Sequence, residues 1–213
     1  MIMIRLLSSQ RAASAAEFAL VLPLLILFLL GLIDTGRFMW EYNQAEKATQ
    51  MGVRYAVATN LIPSGLSTYS FANTGGVTAG TPVPSSNTGS PPAWFGNATC
   101  NNSTCTCSGS NGICGAIGYD ATAFAAIVQR MNTMYAGVTA PRVSVEYRNV
   151  GLGFAGDPNG PDVAPLVTVR LTGMTFQPLS TMMIGKGVTM PDFRAALTLE
   201  DGSNNGLLTP RAN

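Results

Sequence analysis

Hydrophobic and polar positions divide this chain into three stretches of different texture. From Phe18 to Ile33 no residue is charged, and Leu, Ile, Val and Phe dominate. With its Ala-rich lead-in the run comes to roughly 20 residues, enough for a helix to cross a hydrocarbon core of about 30 Å. Beyond it Phe38, Tyr42, Ala45, Ala48, Gly52 and Tyr55 recur at three- and four-residue spacing, opposite Glu41, Gln44, Lys47 and Gln50. Pro63 and the Ser/Gly/Thr tract after Asn60 stop the pattern. The two segments together predict one helix over 13–59, ~70 Å long if unbroken. Pro23 lacks a backbone donor and marks where the membrane half would kink or locally melt.

The second stretch, 60–118, is rich in Gly, Ser, Thr, Asn and Pro and shows neither a helical nor a strand period. It reads as a polar loop region, either a flexible excursion or a loop held by its cysteines, with Trp94 and Phe95 expected to pin it to the core. The third stretch, 119–213, looks ordered. Asp120 is a helix N-cap, and Phe124, Ile127, Val128, Met131, Met134 and Tyr135 form one apolar stripe ended by Gly137. "RVSVEYR" alternates Val143, Val145 and Tyr147 against polar neighbours, and "LVTVRLT" does the same with Val167, Val169 and Leu171. "FRAALTLE" sets Phe193, Ala195, Leu197 and Leu199 on one side. Half-buried strands of this kind suit an antiparallel sheet backed by helices. The fold class expected is therefore α+β: a long N-terminal helix packed on a small antiparallel sheet, with a second helix. The final "DGSNNGLLTPRAN" reads as a fraying tail.

Composition removes several functions. Among 213 residues the net charge is +1 and charged residues make up 11%, so no basic stripe exists to follow a phosphate backbone and no nucleic-acid partner is expected. There is no histidine, which takes away the usual general base and the commonest metal ligand. No G-x-S-x-G elbow appears, and the carboxylates are sparse and spread out. An anchored hydrolase is thus the weakest reading, and no enzyme, catalytic residue, metal or cofactor is expected. "GDPNGPD" groups Asp157, Asn159 and Asp162, but it lacks the EF-hand spacing and distal glutamate, so a solvated turn is favoured over a calcium site.

All four cysteines, Cys100, Cys105, Cys107 and Cys114, lie in the polar stretch. Their spacing does not suit the paired clips of a zinc site, and an even number in an exported segment favours two disulfides. Three pairings are open, with Cys105–Cys107 the least favoured because one intervening residue leaves little room.

Export follows from the flanking charges. Arg5 and Arg11 precede the apolar run, so the N-terminus stays cytoplasmic and everything after Ile33 crosses the membrane. A cleaved secretory signal needs a small-x-small site after the apolar run, where "GLIDTGRFMW" offers a poor one. The small residues of "AASAA" lie before it. A cut between Ala12 and Ala13 would remove the basic leader and keep the membrane helix.

That cut also gives a meaning to Glu17, the one charge between Arg11 and Asp34. A lone acid at mid-membrane costs about 2.5–3.5 kcal/mol. A new α-amino group at Ala13 would be mostly protonated near neutral pH, and Glu17 stands four residues on, one helical turn away. The first turn of a helix also favours a carboxylate. Paired with the amine of a neighbouring subunit, Glu17 would set axial register in an assembly.

A basic leader, a small residue at the cut, Glu17 followed by Phe18 and a long apolar helix resemble type IV-type prepilins. The longer string, with Glu17-Phe18-Ala19, Leu22-Pro23, Gly31, Asp34, Gly36-Arg37, Tyr42-Asn43 and Gly52-Val53-Arg54-Tyr55-Ala56, resembles the TadE-like pseudopilins of tight-adherence (Flp) pilus systems. The resemblance covers about the first quarter of the chain. The family commonly has Gly before the cut, where this chain has Ala12.

The resemblance implies a pilin-like head and the organisation 1–12 leader, 13–59 helix, 60–118 polar cysteine-containing region and 119–213 α+β head. It implies a minor pilin or pseudopilin of a bacterial inner membrane, single-pass, with a periplasmic head and a place on the surface pilus after assembly. Implied partners are other pilins and pseudopilins, a prepilin peptidase, the inner-membrane assembly platform and the lipid bilayer. The alternative is an anchored, exported adhesion or binding module that never polymerises. Such an anchor would tolerate Glu17→Gln and an uncut leader.

Overall fold

The computed structural model describes residues 10–85, 94–109, 111–158, 160–181 and 185–199. Most of the leader, Asn159 and the expected fraying tail lie outside the described residues. The architecture is α+β. A long helix, α1 (Gln10–Ala58), is followed by β1 (Phe95–Cys100), β2 (Cys105–Gly109), α2 (Asn111–Ala116) and α3 (Ala121–Asn132). A 3-10 turn (Ala140–Arg142) leads into β3 (Val143–Arg148) and β4 (Leu166–Leu171). The short β5 (Thr175–Phe176) and β6 (Val188–Thr189) precede β7 (Phe193–Thr198). Internal contacts divide the chain into two units. One comprises the helix up to Tyr42 with Thr175–Met190, the other Asn43–Met174 with the strand after Pro191.

The larger unit is built on a five-stranded antiparallel sheet of order β2-β1-β3-β4-β7. The alternation read from the sequence sets its inner face: Val143, Val145, Tyr147, Val167, Val169 and Leu171 are all buried. At the edge the pattern weakens, and in β7 Phe193 is buried whereas Leu197 is exposed. The largest fully buried side chain of the sheet is Tyr147. Burial pushes its phenol well above the usual range, against which the Ile62 amide donates to its oxygen at 3.4 Å.

The lower part of α1 lies in this unit, and its buried face is Ala45, Ala48, Thr49, Gly52, Val53, Ala56 and Val57. This corrects the expected stripe. Ala45, Ala48 and Gly52 are buried as expected, but Tyr55 is only half-buried, and Thr49, Val53, Ala56 and Val57 complete the face. Small residues allow close approach. A Cβ built on Gly52 would stand 2.7 Å from Met131 Cγ in α3 and 3.4 Å from Val169 in β4. Asp120 caps α3, accepting from the Thr122 and Ala123 amides at 2.8 and 3.0 Å. The helix ends at Asn132, short of Gly137, and the Asn132 side chain donates to the Val138 carbonyl at 2.9 Å.

The stretch expected to be a loop holds two strands. β1 reads FGNATC, with only Phe95, Ala98 and Cys100 buried, so it carries no apolar alternation for a periodicity to detect. Backbone ladders to β2 and β3 define it instead. Cys100 bonds to Cys105, its direct cross-strand partner, and Cys107 bonds to Cys114 in α2. Between β1 and β2 the Asn101 side chain accepts from the Ser103 and Thr104 amides. Closing loops this short removes about 2 kcal/mol of unfolded-chain entropy per bridge. Upstream, Leu61, Ile62, Leu66, Phe71, Val77 and Val83 are buried, so residues 61–85 form an irregular but packed layer. Phe95 is fully buried, as expected of a pin, while Trp94 stays half-exposed over Gly96.

At Gly52 α1 comes too close to Met131 of α3 to admit a side chain, with Val169 of β4 also in contact range. Gly52→Val would drive two methyl groups into Met131 and Val169 and is expected to destabilise by about 2–3 kcal/mol. A thermal melt of the full chain in detergent checks it; an unchanged melting temperature would contradict the close approach.

Candidate functional site: the uncovered helix and its exit

The upper part of α1 has the opposite character to the lower. Phe18, Leu20, Val21, Leu24, Leu27, Phe28 and Leu32 are all exposed, Phe18 at 62%. No part of the most apolar window is buried within the chain, and the helix is long and apolar enough to cross a membrane. An uncovered apolar cylinder of this length needs hydrocarbon or other helices around it. Pro23 sits inside it without breaking it, so no local melting is seen. Ala12 and Ala13 are helical, and Glu17 lies on the exposed surface. Among the described residues Glu17 has no ionic partner within the chain.

At Asp34, one residue past the apolar run, the surroundings change. Asp34 is buried. Its Oδ1 accepts from the Leu179 amide at 2.7 Å and its Oδ2 from the Ser180 amide at 2.9 Å. The β5–β6 hairpin is thereby held on the helix by a two-point carboxylate clip. Burial alone would raise the Asp34 pKa. The Ser180 backbone and side-chain hydrogen bonds, the Leu179 amide and the Arg37 charge outweigh it and hold the carboxyl below its ordinary value of 3.8. Arg37 bridges Asp34 and Glu41, each at 3.7 Å, and its guanidinium lies 5.3 Å from the Phe176 ring centre. Phe38 meets the same ring edge-on at 5.5 Å.

The sequence had marked Asp34, Gly36 and Arg37 only by resemblance. Their partners Phe176, Leu179 and Ser180 went unrecognised, because "TFQPLSTMMIGKGVTM" has no strand period and a single charge, Lys186. The usable signal was an isolated acid directly after an apolar run, which calls for a donor.

Elsewhere the chemistry is sparse. Among the described residues no group of His, Cys, Asp or Glu is arranged to hold a metal ion. In the turn considered for calcium, Asp162 points inward and accepts from the Phe71 amide at 2.6 Å and the Ser70 hydroxyl at 3.3 Å. A depression lined by Thr99, Ser144, Glu146 and Arg170 contains an ion pair, Arg170 to Glu146 at 3.0 Å.

The clip has a definite pH dependence. A carboxyl lowered on folding contributes its stabilisation above about pH 4, and loses it as pH falls through the folded-state value. Amide exchange at Leu179 and Ser180 is therefore expected to be slow near neutral pH and to lose protection, relative to the sheet, in acid. Asp34→Asn, which keeps only one acceptor oxygen, should leave at least one of the two amides unprotected already at neutral pH and remove the acid step. Protection that Asp34→Asn leaves unchanged would contradict the clip.

No curated protein and no solved structure matches the chain. Residues 12–54 match one protein family, described as TadE-like protein. The match runs from the proposed cut, through the apolar run and Asp34, to the segment around Gly52. Over that segment the chain is similar to the TadE-like proteins.

Proposed function

We propose that this protein is a minor pilin or pseudopilin of a Tad/Flp-type pilus, docking into the assembly through α1. The observation that carries the reading is the contrast along one helix: uncovered and apolar to Ile33, buried in its own domain from Ala45. The TadE-like match over 12–54 supports it, because it covers the part that would enter an assembly. In the membrane the apolar half would be solvated by lipid, and in a filament by the same halves of neighbouring subunits.

In this reading the leader is removed between Ala12 and Ala13 by a prepilin peptidase. Glu17 then faces the new amine, of its own chain or of a neighbour, and fixes the axial register. Pro23 would let the membrane half bend as it leaves lipid. The disulfide-bonded, sheet-based domain would lie on the exported side, where cystines persist. Its size suits a priming, tip or scaffold subunit that contacts other pilins and the inner-membrane platform.

Glu17→Gln separates this role from that of a simple anchor. The variant is expected to insert and fold normally yet to fall at least tenfold in the sheared filament fraction. Wild-type recovery of Glu17→Gln in filaments would overturn the register role; a wild-type chain found only in membranes would favour the non-polymerising module.

A further inference from the structure

The Asp34 clip fixes a second chain segment to the helix at the level where its apolar surface ends. Ile33 is the last residue of the uncharged run, and Asp34 holds the Leu179 and Ser180 amides at 2.7 and 2.9 Å. Lipid headgroups occupy a layer of about 5–7 Å on each side of the hydrocarbon core. A loop hydrogen-bonded to the first residue outside that core stands in this layer.

The hairpin's own surface suits that place. Leu179 and Val188 are 41% and 48% exposed, while Phe176, Pro178 and Met190 are buried. Lys186, also exposed, is the single charge of the segment Thr175–Met190. An apolar rim with one long-stemmed cation is the composition of a membrane-surface element, since lysine places its stem in the interface and its ammonium at phosphate level.

We propose that the β5–β6 hairpin is a second membrane contact: Leu179, Lys186 and Val188 rest in the headgroup layer of the bilayer that α1 crosses, clipped there by Asp34. The inference rests on the spanning role of α1 given above. It does not depend on polymerisation. Its consequence is mechanical. With both helix and hairpin in contact with lipid, the chain has a fixed depth and a restricted rotation in the membrane, and extraction must peel the hairpin off the surface.

The test uses the full chain in phosphatidylcholine–phosphatidylglycerol vesicles. The four native cysteines are paired, so Val188→Cys supplies one thiol for an environment-sensitive fluorophore. Lipids carrying a nitroxide at the headgroup or at mid-chain report its depth, and Leu29→Cys serves as the deep reference. Headgroup nitroxide should quench the Val188 label at least twofold more than mid-chain nitroxide, with the order reversed at Leu29. Asp34→Asn should weaken the Val188 quenching; no change would overturn the clip. A quenched Leu29 label beside an unquenched Val188 label would overturn the proposal while leaving the spanning helix intact. An unquenched Leu29 label would remove the spanning reading and this proposal with it. A Val188 label shielded from lipid until the protein is diluted into excess vesicles would mean that a second copy covers the hairpin, and would also overturn it.

Discussion

One helix must be stable in two solvents, and this constraint organises the rest of the molecule. Among the described residues nothing buries the apolar run of α1 up to Ile33, and hydrocarbon or the helices of other subunits are what can cover its Leu, Ile and Phe side chains. From Ala45 the same helix is a core element whose small residues admit α3 and β4. A helix that runs on through Pro23, although that residue donates no hydrogen bond, joins the two regimes. The change of surroundings falls at Asp34, where a carboxylate takes two amides from a chain segment far away in sequence.

The core of the larger unit follows from its contact with that helix. Gly52 lets α1 approach Met131 and Val169 closely, and inward-facing valines of β3 and β4 complete the layer. The outer strands are held differently. β1 and β2 bury little apolar surface and rely on ladder hydrogen bonds and two short cystine loops. Such a hairpin is compatible with an oxidising compartment and would lose its bridges in a reducing one.

The legible parts of the sequence were those where one physical signal dominates. The apolar run, the Asp120 cap and the alternation in β3 and β4 each depend on burial or local capping, and each is present as read. β1 and β2 were not legible, because apart from Phe95 and Ala98 their strands consist of Gly, Asn, Ser, Thr and Cys and are defined by pairing across the chain. On lower α1 the stripe was right at Ala45, Ala48 and Gly52, which are buried, and wrong at Tyr55, which is only half-buried. The candidate site was half legible. Glu17 stood out as an isolated acid, whereas Asp34 was marked only by resemblance, and its partner lies 145 residues away in a segment without periodicity. No local signal reports a contact of that range.

The account turns on α1 entering an assembly as a processed helix, with Glu17 answering a new N-terminal amine. The intact mass and N-terminal residue of chains recovered from sheared surface filaments, set against those from membranes, test this most directly. The account predicts a chain beginning at Ala13 in the filament fraction. A chain that keeps its leader and is confined to membranes would contradict it.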